Sequence, residues 1–239
     1  RLKTSFKILS VTSCIWLSYS HTNKRRPNNN RVAPFLAHCS SSEESLQILF
    51  HKARTGDQNF LNNNRNIDVR DTDATGRTVL HMAAMSNNLA CVRTLVEKHG
   101  ADINATDNNN LSVLEYAAQK GNVAIVNYLL EKEKININHK DNFGMTALHK
   151  AVGFQHYAVV KTLIDHGADP NHMQGDVIAP SHFEAHSFFD RPLHLASRKG
   201  DSAMIKLLCS HQADPNTYNG AGETPLHICC RRCPKFFQS

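Results

Sequence analysis

The sequence contains no long apolar run and none of the compact motifs that mark common enzymes. A membrane-spanning helix needs about 18 or more consecutive apolar residues, and no segment approaches that length. A Gly-rich phosphate-binding loop, a Gly-x-Ser-x-Gly elbow and the kinase signature set are all missing. These absences predict a protein with no membrane span, no enzymatic activity, no cofactor and no bound metal.

Acidic residues are missing from the first part of the chain. Residues 1–35 carry seven Lys or Arg and no Asp or Glu, so the rest of the chain has 20 basic against 21 acidic residues. The formal charge of +6 therefore belongs to an N-terminal tail. Because the remainder is nearly neutral, it offers no continuous phosphate-binding surface, and nucleic acid is not expected as a partner.

Residues 1–41 are predicted to be a basic, disordered leader and linker. The stretch from Ile8 to Tyr19 mixes apolar residues with Ser and is not followed by an Ala-x-Ala-like cleavage site, so secretion is not expected. The seven cysteines are odd in number and lack a regular spacing, which is typical of reduced thiols. We therefore expect a cytoplasmic protein, with the nucleus as the alternative.

One pattern recurs five times along the rest of the chain. It reads TVLHMAA at residues 78–84, SVLEYAA at 112–118, TALHKA at 146–151, RPLHLA at 191–196 and TPLH at 224–227. The central leucines are spaced by 34, 34, 45 and 33 residues, namely Leu80, Leu114, Leu148, Leu193 and Leu226. The spacing of 45 equals one period plus an insertion of about 12 residues.

A second motif repeats in phase with the first. It occurs at Gly100–Asn104, Gly167–Asn171 and Ala213–Asn216, with Ile137-Asn138 as a degenerate copy. Together the two motifs resemble the ankyrin repeat, whose Thr-Pro-Leu-His motif recurs every 33 residues. The resemblance covers Ser42 to Cys230. It implies an all-α solenoid of helix–loop–helix units joined by short β-hairpin loops, with a concave face.

The residue types agree with this architecture. Thr at the start of a first helix can cap free amides, and paired Ala side chains let neighbouring helices approach closely. Apolar residues at helical spacing, such as Ile125 and Leu129, give each second helix a buried stripe. The predicted organisation is a divergent capping repeat at 42–70, repeats at 71–106, 107–140, 141–173 and 191–218, an insertion loop at 174–190 and a truncated repeat at 219–239.

The histidines and cysteines invite a catalytic or metal-binding interpretation, which their positions disfavour. His81, His149, His194 and His227 occupy one repeat position, where the resemblance implies that His ties loop backbone together. Cys229 and Cys230 occupy the Ala-Ala position and are predicted to be core, so the Cys230-x-x-Cys233 spacing is not read as a zinc site. His182 and His186 lack the Glu placement of a metalloprotease helix.

The resemblance implies a monomeric, non-catalytic adaptor or scaffold that binds other proteins. The expected contacts are the turns and first helices of the concave face: Arg77, Met85, Leu111, Lys120, Phe143, Met145, Phe154, Arg198 and Lys199. The alternative is the regulatory part of a larger enzyme, such as a kinase, phospholipase or ubiquitin ligase, truncated at Ser239.

Three finer expectations concern single residues. Asn171 and Asn216 resemble the positions that asparaginyl hydroxylases modify in ankyrin arrays, although Asn is also a common turn former. Asn110 stands where a turn Gly is expected, so Asn110→Gly should stabilise the fold by roughly 0.5–1 kcal/mol. The insertion aromatics Phe183, Phe188 and Phe189 either cover the Phe143 patch or join it in one partner pocket.

Overall fold

The structure is a computed structural model that describes residues 41–64, 67–132, 134–175 and 189–232. Eleven helices lie in these ranges. They are α1 (Ser41–Thr55), α2 (Gln58–Asn63), α3 (Val79–Met85), α4 (Leu89–Glu97), α5 (Val113–Lys120), α6 (Val123–Leu130), α7 (Ala147–Gly153), α8 (Tyr157–Asp165), α9 (Pro192–Lys199), α10 (Ser202–Ser210) and α11 (Pro225–Arg232).

The helices pack as successive pairs. Each odd-numbered helix from α1 to α9 contacts the helix that follows it, and it also contacts the next odd-numbered helix along the chain. The even-numbered helices α2, α4, α6 and α8 form a second layer in the same order. Such nearest-neighbour packing is the arrangement of a repeat solenoid, and it confirms the predicted all-α fold.

The turns between units contain less β-structure than predicted. Within the described ranges they carry isolated antiparallel bridges, Thr72 with Thr78 and Thr106 with Ser112, in place of hairpin strands. Polar side chains organise these turns instead, as described below.

The core follows the repeat positions. The leucines Leu80, Leu114, Leu148 and Leu193 are all buried on the first helices. Ala83, Ala117 and Ala151 are fully buried beside them, and their small side chains allow the first helices to approach closely. Each second helix buries the predicted apolar stripe, for example Ile125 and Leu129 on α6.

The first helices α1, α3, α5, α7 and α9 are each followed, within two residues, by a residue with left-handed backbone geometry. The position is occupied by Gly56, Asn87, Gly121, Gln155 and Gly200. At Gly121 a β-carbon would also lie 2.7 Å from the His156 ring, so packing as well as backbone geometry selects glycine there. Asn87 and Gln155 adopt the same geometry with side chains attached.

The cysteines differ in burial. Cys91 is fully buried on α4 and is free, as the helical position predicted. Cys229 and Cys230 were expected to be core, but they are half-buried on α11. The reason is that, among the described residues, no further helix packs beyond α11, whose Leu226 is 68% exposed.

Several predictions fall outside the described residues. They concern the leader, most of the insertion with Phe183, Phe188, His182 and His186, and Cys233. In the part of the chain that the structure describes, no helix is long and apolar enough to cross a membrane. The same ranges contain no cluster of three or more His, Cys, Asp or Glu side chains placed to hold a metal ion.

Candidate protein-binding surface

Four of the turns between units are each built around an Asp or Asn side chain. Oδ1 of Asp107 accepts hydrogen bonds from the backbone N–H groups of Asn109 (2.8 Å) and Leu111 (2.9 Å). Such bonds fix the turn without requiring strand pairing. The same pair of bonds recurs at Asp73, Asp141 and Asn219.

The second carboxylate oxygen of these aspartates binds a side chain of the same unit. The pairs are Arg77 with Asp73 (2.6 Å), Tyr116 with Asp107 (2.8 Å) and Lys150 with Asp141 (2.5 Å). Partial burial alone would raise the pKa of Asp73, but hydrogen bonds from Arg77 and Thr75 outweigh it and lower that pKa to about 2. Each turn is therefore clamped to its own first helix or to the start of that helix.

These aspartates were not predicted from the sequence to be structural residues. The signal was present, since Asp73, Asp107 and Asp141 follow one another at the same 34-residue interval as the leucines. Neighbouring turns are also joined directly, because the N–H of Asn108 donates to the carbonyl of Thr75 (3.1 Å). The N–H of Asn142 donates to the carbonyl of Asn109 in the same way (3.0 Å).

The repeated histidines connect one unit to the next, as the resemblance implied. The backbone N–H of Thr78 donates to Nδ1 of His81 (3.0 Å), so the ring proton lies on Nε2, which donates to the carbonyl oxygen of Leu111 (3.3 Å). Burial lowers the pKa of His81 and keeps the ring neutral. The bond to the next unit recurs from His149 to Asp190 and from His194 to Glu223.

Glu115 occupies this histidine position in the third unit. Its Oε2 accepts hydrogen bonds from the backbone N–H and the hydroxyl of Ser112, both at 2.7 Å. Its Oε1 is buried without a hydrogen-bond partner. Burial raises the pKa of Glu115 to about 7, since the apolar surroundings disfavour the charged form.

Two exposed aromatic side chains flank α7 along the chain. Phe143 follows Asp141 in its turn and is 47% exposed, and Phe154, the residue that ends α7, is 53% exposed. Large apolar groups at such exposure form a favourable contact for a partner. Phe154 stacks on His156, with ring centroids 6.3 Å apart, which fixes the orientation of its ring.

The predicted contact residues differ in how exposed their side chains are. Lys120 and Lys199 are exposed, whereas the remaining non-aromatic residues are half-buried: Arg77, Met85, Leu111, Met145 and Arg198. Arg198 binds the fully buried carboxylate of Asp190 (2.7 Å), so it also has a structural role. We call these seven residues, together with Phe143 and Phe154, the turn–helix face.

A groove of about 480 Å³ lies at the N-terminal end of the turn–helix face. Its lining residues are Arg54, Arg77, Met82, Met85, Ser86 and Lys120, and we call it the methionine groove. Arg54 was not predicted to lie at this surface, because the first unit lacks the repeated motif. It reaches the groove because α1 packs beside α3.

The two asparagines proposed for hydroxylation have different surroundings. The Asn171 amide donates to the carbonyl of Gln212 (3.0 Å) and accepts from the N–H of Asp214 (2.7 Å), so it links two units. Asn216 is exposed, and within the described ranges its side chain makes no hydrogen bond. A modifying enzyme would meet a free amide only at Asn216.

Family models match most of the chain. A model described as ankyrin repeats (3 copies) matches residues 12–107, 35–141 and 101–174, and one described as ankyrin repeats (many copies) matches residues 182–229. The first match begins inside the range assigned above to the leader. A search of curated proteins found no significant match.

Proposed function

Because the chain belongs to the ankyrin-repeat family, we propose that it is a protein-binding adaptor or scaffold that holds its partner on the turn–helix face. Ankyrin repeats are generally protein–protein interaction modules, and domains of this class are generally non-catalytic. The observation that carries the proposal is the pair Phe143 and Phe154. Two aromatic side chains about half exposed on clamped elements are suitable anchors for a partner.

The surroundings of these aromatics favour the same surface. Lys120 and Lys199 stand in the first-helix positions that correspond to Phe154 in the neighbouring units, so exposed cations lie on either side of it along the chain. Apolar anchors ringed by polar groups are the usual arrangement of binding hot spots. Since the turns are fixed by Asp107 and Asp141, binding should require little ordering of the backbone.

Site-specific crosslinking tests this proposal. The photoreactive residue p-benzoylphenylalanine would replace Phe143 or Phe154 in the full chain, and in matched controls it would replace Lys161 or Lys206 on the exposed sides of α8 and α10. We expect one protein to crosslink to both turn–helix positions and to neither control position. Crosslinking at the controls alone, or at no position, would contradict the proposal.

We further propose that the chain acts in the cytoplasm, with the nucleus as the alternative, as a monomer that binds protein and not nucleic acid. The buried free thiol of Cys91 supports a reducing compartment. Analytical ultracentrifugation and imaging of the tagged full chain test these points. Dimerisation or secretion would contradict them.

We also propose hydroxylation at Asn171 and Asn216, with Asn216 modified more readily because its amide is free. Mass spectrometry of the chain from its native cells would detect the added oxygen. Modification of Asn171 alone would contradict the expected order.

A further inference from the structure

The methionine groove combines two features that point to one kind of ligand. Arg54 and Lys120 are exposed cations, and among the described residues neither makes an ion pair or a hydrogen bond. Between them lie Met82 and Met85 on α3. The lining therefore combines two unpaired cationic side chains with two flexible methionine side chains that can adapt to an apolar group.

The other charged groups near the groove leave this excess of positive charge in place. Asp73 is neutralised by Arg77, whose Nε and Nη2 both bind Oδ2 of that carboxylate. Asp107 is buried and accepts a hydrogen bond from the hydroxyl group of Tyr116. No carboxylate is among the groove's lining residues, so a ligand carboxylate would meet no repulsion from the lining itself.

We infer that the methionine groove binds an acidic peptide segment of a partner protein, with carboxylates on Arg54 and Lys120 and an apolar side chain on Met82 and Met85. This inference rests on the proposed function and names the partner chemistry. Charge complementarity argues for carboxylates. The methionine floor argues for a peptide, because a sugar–phosphate chain has no apolar side chain to place there.

Nucleic acid fits this lining poorly. Single strands are held by aromatic side chains that stack on bases together with a basic track along the backbone. The groove lining contains no aromatic residue, and one of its three cations is already paired. An anionic membrane would also need a broader positive surface than two free side chains provide.

Binding of a synthetic probe tests the inference. The probe is a short fluorescein-labelled peptide in which Glu and Asp alternate with Leu, and binding to the full chain would be followed by fluorescence polarisation at low and moderate salt. One control peptide replaces the acids with Gln and Asn, and another replaces Leu with Ser. We expect both controls to bind at least about tenfold more weakly, and the probe to bind more weakly as salt rises.

Matched variants locate the site. The double change Arg54→Gln and Lys120→Gln should lower probe affinity about tenfold, whereas Lys161→Gln with Lys206→Gln removes the same charge from α8 and α10 and should change it less than about twofold. Both pairs are exposed, so melting temperatures should agree. If the groove double variant fails to fold, the two single variants each give a smaller loss in the same direction.

Three outcomes would overturn the inference: equal losses in the two double variants, equal binding of the Gln and Asn peptide, or tighter binding of oligothymidylate or phosphatidylserine vesicles than of the probe. The proposed function is tested independently, because crosslinking at Phe143 and Phe154 does not depend on binding of the probe. Crosslinking without groove-dependent probe binding would refute the groove alone.

Discussion

At the scale of single residues, one repeat position shows how a side chain sets the behaviour of its unit. His81, His149 and His194 each donate a hydrogen bond to a backbone carbonyl of the next unit, whereas an ionised Glu115 has no N–H or O–H with which to do so. Its Oε1 is left buried without a partner. At this position the third unit therefore buries an ionisable carboxyl group where those three units bury a neutral imidazole.

The first prediction is that Glu115→Gln removes a loss of stability that the native chain undergoes between about pH 4.5 and pH 7. The pKa of Glu115 is raised to about 7 in the fold from an ordinary 4.5, so the folded state holds the proton more tightly than the unfolded state. Its contribution is fully present below about pH 4.5 and is lost as pH rises through about 7, with a total of about 3 kcal/mol. Asp141 strengthens this shift and Lys150 opposes it.

Urea unfolding of the native chain and of Glu115→Gln between pH 4 and pH 8 measures this effect. The buried histidines produce the opposite slope, because burial lowers the pKa of His149 to about 3 and stability is lost as pH falls below the ordinary 6.5. That acid-side loss should persist in the variant and serves as the control. If the stability of the variant relative to the native chain stays the same from pH 4 to pH 8, the assignment is refuted.

The second prediction compares two asparagines with the same left-handed backbone, Asn87 (φ 57°) and Asn110 (φ 58°). Asn87→Gly should stabilise the fold by about 0.5 kcal/mol, because glycine relieves the backbone strain. Asn110→Gly should give no such gain, since the Asn110 amide donates to the carbonyl of Lys140 in the next unit (2.8 Å). The sequence alone could not show this bond, which opposes the stabilisation expected there.

Chemical unfolding of both glycine variants decides between backbone strain and the bond to Lys140. If Asn110→Gly stabilises as much as Asn87→Gly, the bond contributes nothing and the expectation from sequence stands.

At the scale of elements, four turns are each held by an Asp or Asn that accepts hydrogen bonds from the turn backbone and also binds a further side chain. In the last inter-unit turn the donor is Asn219, whose amide binds the buried Asp190 (2.9 Å). Asp190 in turn binds Arg198 at the end of α9. The buried carboxylate of Asp190 thus joins the turn at Asn219 to the end of α9.

The third prediction follows from this junction. Arg198→Ala should destabilise the fold by about 1–3 kcal/mol, because it leaves the buried Asp190 without its charged partner. Lys199→Ala, the matched control, removes an exposed cation from the same helix end and should change stability by less than about 0.5 kcal/mol. Thermal unfolding measures both, and equal melting temperatures for the two variants would contradict the structural role of Arg198.

The elements also show what sequence could and could not provide. The leucine interval predicted the helix pairs and their order, because burial of Leu80, Leu114 and Leu148 depends on local periodicity. The partners of the polar residues that link one unit to the next were not predictable, since they lie about 30 or more residues away along the chain. Arg54 is such a case, because its place beside Lys120 depends on how α1, α3 and α5 stack.

At the scale of the whole described stack, each unit contacts its neighbours, and the residues of the turn–helix face come from four successive units. The face changes character along its length, from the methionine groove to the aromatic pair Phe143 and Phe154 and then to Lys199. Rigid, clamped units with different side chains at equivalent positions are a suitable basis for specific binding. The stability of this scaffold and its affinity for a partner should therefore respond to different residues.

The most direct test of this account measures stability and partner affinity on the same variants, Phe143→Ala and Phe154→Ala, using the protein that crosslinks at these positions. Because both rings are about half exposed, we expect melting temperatures to stay within about 2 °C of the native value, while affinity falls by at least about 1–2 kcal/mol. If both changes lower the melting temperature and leave affinity intact, the aromatic pair belongs to the core and the binding site lies elsewhere.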